Sequence, residues 1–294
     1  MSRYSISDLE NLTGIKAHTI RIWEQRYNIL TPQRTDSNIR YYNDNQLRHL
    51  LNVSTLLDAG WKISKISHLN QNEINQAIDE ATQDSSVTDL AITASINQLI
   101  AAGLEYNEAL FEKAFSSALI RFGLKETYIK VIHPTLIKIG LMWGKVELIP
   151  TQEHFISNLI RQKLASAIDG TYSPPSSEKT WILFLPENET HEIGLMFAHY
   201  MIRSQGQRVI YLGQRVPYEN LKSVVKSTNP EYIQFFMVRH QDQKVIETLI
   251  NTLSEDFPAI TKVACGVSPS ISESISLPNT TFVNRIEEFT SLFD

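Results

Sequence analysis

Side chains that could bind nucleic acid are concentrated near the N-terminus. Lys16, His18, Thr19 and Arg21 follow a short turn at Thr13–Ile15. Such groups donate hydrogen bonds to phosphate oxygens and to base edges. In a helix-turn-helix, a short turn holds the second helix at a steep angle, so that its exposed face enters the major groove. The spacing therefore predicts a DNA-reading helix that carries these four side chains.

The flanking residues supply the elements that such a helix needs. Ser5–Asp8 has the spacing of a capping box, which predicts the start of a first helix that Gly14 ends. A second helix is predicted over Ala17–Arg26, with Ile20 and Trp23 on the face that packs against the first.

A two-stranded wing is predicted after the second helix. Thr31–Asn38 contains proline and asparagine, and Ile39–Tyr42 has strand character. Arg34, Arg40 and Tyr41 fall on this hairpin, where they can touch the DNA backbone beside the groove.

Composition bounds the class of protein. The 294 residues allow two or three domains, and the one cysteine, Cys265, excludes an intramolecular disulfide and a multi-cysteine zinc site. No apolar run approaches the roughly 20 residues that span a bilayer, and no secretory signal is visible, so we expect a cytoplasmic protein. The net charge is −5, yet residues 1–75 hold nine basic against seven acidic residues, leaving eighteen against twenty-five elsewhere. A mildly basic head on an acidic body suits a chain in which only the head meets phosphates.

The spacing of apolar residues along the chain changes twice, which predicts a multidomain protein of the α and α/β classes. Residues 1–75 form the winged helix-turn-helix, residues 85–169 a four-helix bundle, and residues 178–294 a Rossmann-like, doubly wound parallel sheet. A loop rich in proline and serine, Gly170–Thr180, links the last two. The predicted strands are Trp181–Pro186, Arg208–Leu212, Tyr232–Val238, Lys262–Cys265 and Thr280–Val283.

The first 70 or so residues resemble the mercury-resistance-regulator (MerR) family. The resemblance implies a transcription regulator, not an enzyme, that binds pseudo-palindromic promoter DNA as a dimer or a tetramer. The DNA contacts that it implies are Lys16, His18, Thr19, Arg21, Arg34, Arg40 and Tyr41. The motifs that carry it, in order, are Tyr4–Leu9, Thr13–Gly14, His18–Arg26, Pro32–Arg34 and Arg40–Tyr42.

The rest of the chain resembles the sensor half of cobalamin-dependent, light-sensing regulators of the same family. Trp143 followed by Glu153–His154 matches the signature of their helical cap. Glu189–Gly194, with histidine at its third position, matches the loop that opens their cobalamin-binding domain and that of methionine synthase. Tyr211–Gly213 fits the second strand and its turn.

This second resemblance implies a role for each matched residue. His191 coordinates cobalt from below, Glu189 hydrogen-bonds its other ring nitrogen or orients the loop, and Gly194 lets the helix approach the corrin tail. Above the ring, Trp143 packs on the upper ligand, and Glu153 and His154 contact it. Gly213 and Gly266 complete the predicted set of cofactor-binding residues.

Two positions depart from the family pattern. The Ser-x-Leu of the third strand, which lines the slot for the dimethylbenzimidazole tail, corresponds to Phe235–Met237 here. The Gly-Gly after the fourth strand corresponds to Cys265–Gly266. A benzyl group could fill the slot and the cysteine could block the tail, and shape changes of this kind are costly in a packed pocket.

Three functions follow as alternatives. The first is a DNA-binding regulator that senses adenosylcobalamin, and with it light, and whose oligomerisation and operator binding respond. The second is a regulator of the same fold with a cobalamin-free sensor, controlled by oligomerisation or by a partner such as an antirepressor. The third is a cobalamin-dependent methyl transferase or corrinoid carrier, which is disfavoured because no length remains for a substrate domain.

Overall fold

The computed structural model describes residues 3–84, 88–144, 150–238 and 243–292. The chain divides into two compact units, Met1–Asn158 and Leu159–Asp294, and the boundary falls within one long helix. Among the described residues, no helix combines the length and the apolar composition needed to cross a membrane.

The head of the first unit is a helix-turn-helix with a small antiparallel hairpin. The hairpin pairs Gln33 with Tyr41 and Arg34 with Arg40. Its elements are α1 (Ile6–Thr13), α2 (Ala17–Tyr27), β1 (Gln33–Arg34), β2 (Arg40–Tyr41), α3 (Asp44–Asp58) and α4 (Ile63–Ile66).

Both ends of α1 form as the sequence predicts. The Ser5 hydroxyl accepts from the Asp8 amide while the Asp8 carboxylate accepts from the Ser5 amide, which completes the capping box. Gly14 follows α1 with a φ of 75°, a left-handed conformation that glycine adopts at little cost. The turn into α2 is therefore fixed by local chemistry.

A helical region follows the head within the first unit. Its helices are α5 (Gln71–Asp84), α6 (Thr88–Glu105), α7 (Glu108–Thr127), a π-helical turn (Tyr128–Ile132), α8 (His133–Gly144) and α9 (Pro150–Gly170). Phe111 and Phe115 of α7 are buried and stacked, with ring centroids 5.9 Å apart. The predicted domain boundary near residue 85 lies outside the described residues.

Buried and half-buried polar contacts join the head to this helical region. The Asn97 side chain of α6 donates to Thr55 Oγ1 at 3.0 Å and to the Leu51 carbonyl at 3.3 Å, both on α3. Lys138 Nζ of α8 donates to the Leu12 carbonyl at 3.2 Å, at the end of α1. Burial lowers the pKa of Lys138. The head therefore packs on the helical region through α1 and α3.

The second unit is a parallel sheet covered by helices, as predicted. Its strands are β3 (Thr180–Pro186), β4 (Arg208–Val216), β5 (Tyr232–Phe236), β6 (Thr261–Cys265) and β7 (Thr280–Val283), in the order β4-β3-β5-β6-β7. Every pairing in it is parallel. Its helices are α10 (Ile193–Ser204), α11 (Tyr218–Thr228), α12 (Gln243–Asp256), α13 (Pro269–Ser272) and α14 (Ile286–Ser291).

Alternate residues of β5 serve opposite faces of the sheet. Ile233 and Phe235 enter the core that α11 and α12 cover. Gln234 and Phe236 point to the other face, where Phe236 meets Gly194 of α10 and Phe289 of α14. In open parallel sheets, ligands bind outside the carboxyl ends of the strands, and the His191 loop follows that end of β3.

Candidate DNA interface and cofactor site

The first turn of α2 presents the predicted donors to solvent. Lys16, His18 and Arg21 are exposed, and Thr19 is half-buried. Lys16 Nζ is paired with Glu10 Oε1 at 3.0 Å, and the other Glu10 oxygen accepts from the Ala17 amide. These two donors lower the pKa of Glu10. Among the described residues, Arg21 has no hydrogen-bond or ion-pair partner, so its guanidinium is available to bind another group.

The wing arginines are held by the protein itself. Arg34 donates to the Asn38 side chain at 2.7 Å across the hairpin. Arg40 Nε lies 3.7 Å from the nearly buried Glu24 carboxylate, which also accepts from the Tyr42 hydroxyl at 2.5 Å. Burial and this carboxylate raise the pKa of Tyr42. Glu24 therefore fixes the wing to α2.

Sequence reasoning missed two exposed apolar side chains beside these donors. Ile22 of α2 is 45% exposed, and Ile39 at the end of the hairpin is 63% exposed. Ile22 falls outside the stripe of Ile20 and Trp23, and this offset is the signal that could have found it. Apolar side chains can contact thymine methyl groups, so both join the candidate interface.

In the second unit, Glu189 anchors the predicted histidine loop. Its side chain is fully buried and accepts from the backbone amides of Thr190, His191 and Val238 at 2.8–2.9 Å. His191 Nδ1 lies 2.6 Å from the same carboxylate, and the ring is 45% exposed. The arrangement fixes the ring and leaves Nε2 as the nitrogen suited to a metal.

Glu192 holds the other side of this loop. Its carboxylate accepts from Arg161 Nη2 at 2.7 Å, Tyr211 Oη at 2.8 Å and Gln214 Nε2 at 2.7 Å. The Tyr211 ring stacks on His199 with centroids 5.0 Å apart. Burial, and then the bond to Glu192, raise the pKa of Tyr211. Sequence reasoning missed this cluster because its members lie on separate elements.

The predicted cap residues lie in the first unit. Trp143 belongs to α8, but its side chain is outside the part of the chain that the structure describes. Glu153 accepts from Ser157 at 2.5 Å and lies 2.7 Å from His154 Nδ1. The His154 side chain is 68% exposed. Their contact with a cofactor remains a prediction.

Comparison with known proteins addresses the head and the helical region. Residues 4–73 match the family described as MerR HTH family regulatory protein, and residues 95–167 match the B12 binding domain. The chain is 31% identical over 91 residues to the HTH-type transcriptional regulator GlnR of Bacillus anthracis, covering 30% of this chain and 70% of GlnR. The chain belongs to the MerR family. This MerR-family protein is thus a DNA-binding transcription regulator with a B12-binding domain, as predicted.

Two further matches extend beyond the head. The regulator is 28% identical over 257 residues to the HTH-type transcriptional repressor CarH of Myxococcus xanthus, covering 87% of this chain and 85% of CarH. Its fold resembles the Methanosarcina barkeri monomethylamine corrinoid protein, with a TM-score of 0.54, 17% identity, and coverage of 66% of this chain and 94% of that one. The predicted fold class is therefore confirmed.

The three glycines predicted to bind cofactor are each required by a neighbour within the regulator. A Cβ at Gly194 would lie 2.8 Å from the Phe236 ring, and one at Gly266 would lie 2.8 Å from the Met237 carbonyl oxygen. Gly213 has a φ of 74° and faces Glu192. Their cofactor role therefore stays a prediction.

The structure also refines the predicted departure on the third strand. Phe235 belongs to the core on the far face of the sheet, and Phe236 is the aromatic side chain that faces α10. The lower cobalt ligand thus fits this regulator, because His191 is fixed and half-exposed. The slot for the nucleotide tail does not fit, because a benzyl group stands against Gly194.

The pKa of His199 predicts how the free energy of unfolding depends on pH. Burial lowers its pKa from 6.5 to about 4. Between these values the unfolded chain binds more protons, so the free energy of unfolding is fully retained above pH 6.5 and declines as pH falls toward 4. We expect His199→Phe to flatten this decline in urea unfolding followed from pH 7 to pH 4, whereas His68→Phe, at an exposed histidine, retains it. An unchanged decline in His199→Phe would contradict the assignment.

Proposed function

We propose that this regulator binds promoter DNA through α2 and the wing, and that its second unit senses cobalamin through His191. The observation that carries the sensor assignment is the Glu189–His191 pair, a half-exposed imidazole bonded to a fully buried carboxylate. Cytoplasmic location is part of the same proposal.

Arg21 leads the proposed DNA contacts. It is exposed on α2 and unpaired among the described residues, so it can bind a base edge without breaking an internal bond. Lys16 must exchange Glu10 for a phosphate, and Arg40 is positioned by Glu24 to reach the backbone. His18, Thr19, Arg34 and Tyr41 complete the proposed interface.

Removal of the three basic side chains tests this interface. We expect Lys16→Ala/Arg21→Ala/Arg40→Ala to weaken binding about 100-fold or more, because one good base contact is worth about 1–3 kcal/mol. The measurement is a mobility-shift titration on a duplex that the unaltered protein selects from random DNA. The matched control, Lys179→Ala/Arg208→Ala/Lys226→Ala, removes the same charge from exposed positions of the second unit. Equal affinity of the first variant and the parent overturns the DNA assignment.

The chemistry of the His191 loop suits cobalt. A neutral imidazole donates one lone pair to a metal, and a carboxylate on its other nitrogen sets the tautomer and raises basicity. Cobalamin, when bound, would supply a cobalt ion that an imidazole nitrogen such as that of His191 can coordinate. Glu189 is held by three backbone amides, so His191 is oriented before any ligand arrives. In the first unit, Glu153, His154 and Trp143 are the proposed contacts of the upper ligand.

The visible absorbance of the protein tests whether His191 coordinates cobalt. After incubation with saturating adenosylcobalamin in the dark and removal of unbound ligand, we expect the protein to retain a visible corrin band. His191→Ala should lose it, while His68→Ala retains it. A thermal-shift measurement accompanies the spectrum, since a ligand that binds only the folded state raises stability. Colourless parent protein with no thermal shift overturns the sensor assignment.

We further propose that adenosylcobalamin and light control self-association. The spacing of Trp143 to Glu153–His154 supports this, since it matches the cap of light-sensing relatives. Few basic residues lie in the head, so tight operator binding needs two or more heads acting together. A ligand shifts an assembly only when it binds the two states unequally.

The mass of the protein in solution tests this control. We expect adenosylcobalamin in the dark to raise the mass by at least twofold in sedimentation, and white light to reverse the rise. Operator affinity should change with the mass. His191→Ala is expected to show neither response. A mass that is independent of ligand and light would contradict the proposal.

One observation favours the second candidate, a cobalamin-free sensor. Phe236 stands where the tail of the cofactor would lie, according to the family pattern. On that candidate, oligomerisation or a partner such as an antirepressor controls the regulator. The spectrum described above distinguishes the two.

A further inference from the structure

We propose that the second unit selects corrinoids that lack a lower nucleotide base, such as cobinamide, over cobalamin itself. The proposal rests on His191 being the cobalt ligand. It assigns Phe236 as the residue that determines specificity, because its ring occupies the slot that the dimethylbenzimidazole tail would need.

The first support is the contact between Phe236 and α10. A Cβ built on Gly194 would lie 2.8 and 3.0 Å from two carbons of the Phe236 ring. The ring therefore packs directly on the glycine backbone that, in the family pattern, gives the tail its close approach. No room for a second aromatic group remains between them.

The second support is that Phe236 is one of three packed rings, the aromatic cluster of Phe197, Phe236 and Phe289. Phe236 and Phe289 have centroids 6.0 Å apart, and Phe197 and Phe289 have centroids 5.9 Å apart. Phe197 is 1% exposed and Phe289 is 3% exposed. These rings come from α10, β5 and α14, so the cluster closes the space between both covering helices and the sheet.

The third support is the floor beneath the cluster. Gln234 is fully buried on the same face of β5 as Phe236, and its amide nitrogen lies 3.4 Å from Cys265 Sγ. Cys265 is 2% exposed and pairs with Phe236 in the sheet. The side chain that replaces the first glycine of the family's Gly-Gly is thus bonded into the floor.

His191 lies outside this packed cluster. Its ring is 45% exposed, and Glu189 holds it from the buried side. The Nε2 atom of this ring could coordinate the cobalt of a bound corrinoid without displacement of Phe236. Entry of a nucleotide base would additionally require that the half-buried Phe236 ring leave its contacts with Gly194 and Phe289, with loss of buried area. The chain therefore accepts the ring of a corrinoid more readily than its tail.

Paired titrations test the selectivity. The unaltered protein is titrated with diaquacobinamide and with aquacobalamin, and the dissociation constants are read from the visible spectrum. We expect cobinamide to bind at least about tenfold more tightly, which corresponds to about 1.4 kcal/mol. Phe236→Ser opens the slot and should bring the two constants within about twofold. Phe236→Leu, which keeps an apolar side chain there, should retain most of the preference.

The outcomes separate this inference from the proposed function. Equal affinity of the unaltered protein for both ligands, with His191→Ala weakening both, overturns the selectivity and leaves His191 as the ligand. Spectra that show cobalamin bound with its own base still on cobalt overturn the role of His191. Failure of both ligands to bind the unaltered protein overturns the sensor assignment, and with it the selectivity.

Discussion

The candidate site of the second unit depends on the hydrogen bonds that the buried carboxylate of Glu189 accepts. A charge removed from water is stable only when its oxygens are hydrogen-bonded. Glu189 meets this condition because its carboxylate accepts from amides that follow two neighbouring strands. Thr190 and His191 follow β3, and Val238 follows β5. One side chain thereby joins the ends of two strands and orients the imidazole of His191. The loop is shaped before a ligand binds.

The two departures from the family pattern have a common physical meaning. In the structure, Phe236 and Cys265 are neighbours in adjacent strands, and both face the layer between the sheet and α10. The family pattern has small side chains at these two positions, and this chain has larger ones. Larger apolar side chains at these positions stabilise the fold through buried apolar area.

Local signals in the sequence were enough to predict α1, its turn and the five strands. The capping box at Ser5 and the left-handed Gly14 act over a few residues, and short apolar runs define strands. The Glu192 cluster was beyond such reasoning, because Arg161, Tyr211 and Gln214 meet only after the sheet register is set. Which of Phe235 and Phe236 faces α10 was beyond such reasoning as well, since alternation does not say which face a helix covers.

The packing of α3 on α6 has a consequence for the geometry of the operator. Asn97 joins α6 to α3 through buried hydrogen bonds, and Lys138 joins α8 to α1 through a half-buried one, so the head is packed on the helical region and not held by a linker alone. Any assembly built through the bundle would therefore hold its groove helices at a set separation and rotation. Such an assembly tolerates changes in the base sequence of the operator better than changes in the spacing of its half-sites. Inserting half a helical turn between half-sites would turn one of them to the far side of the duplex.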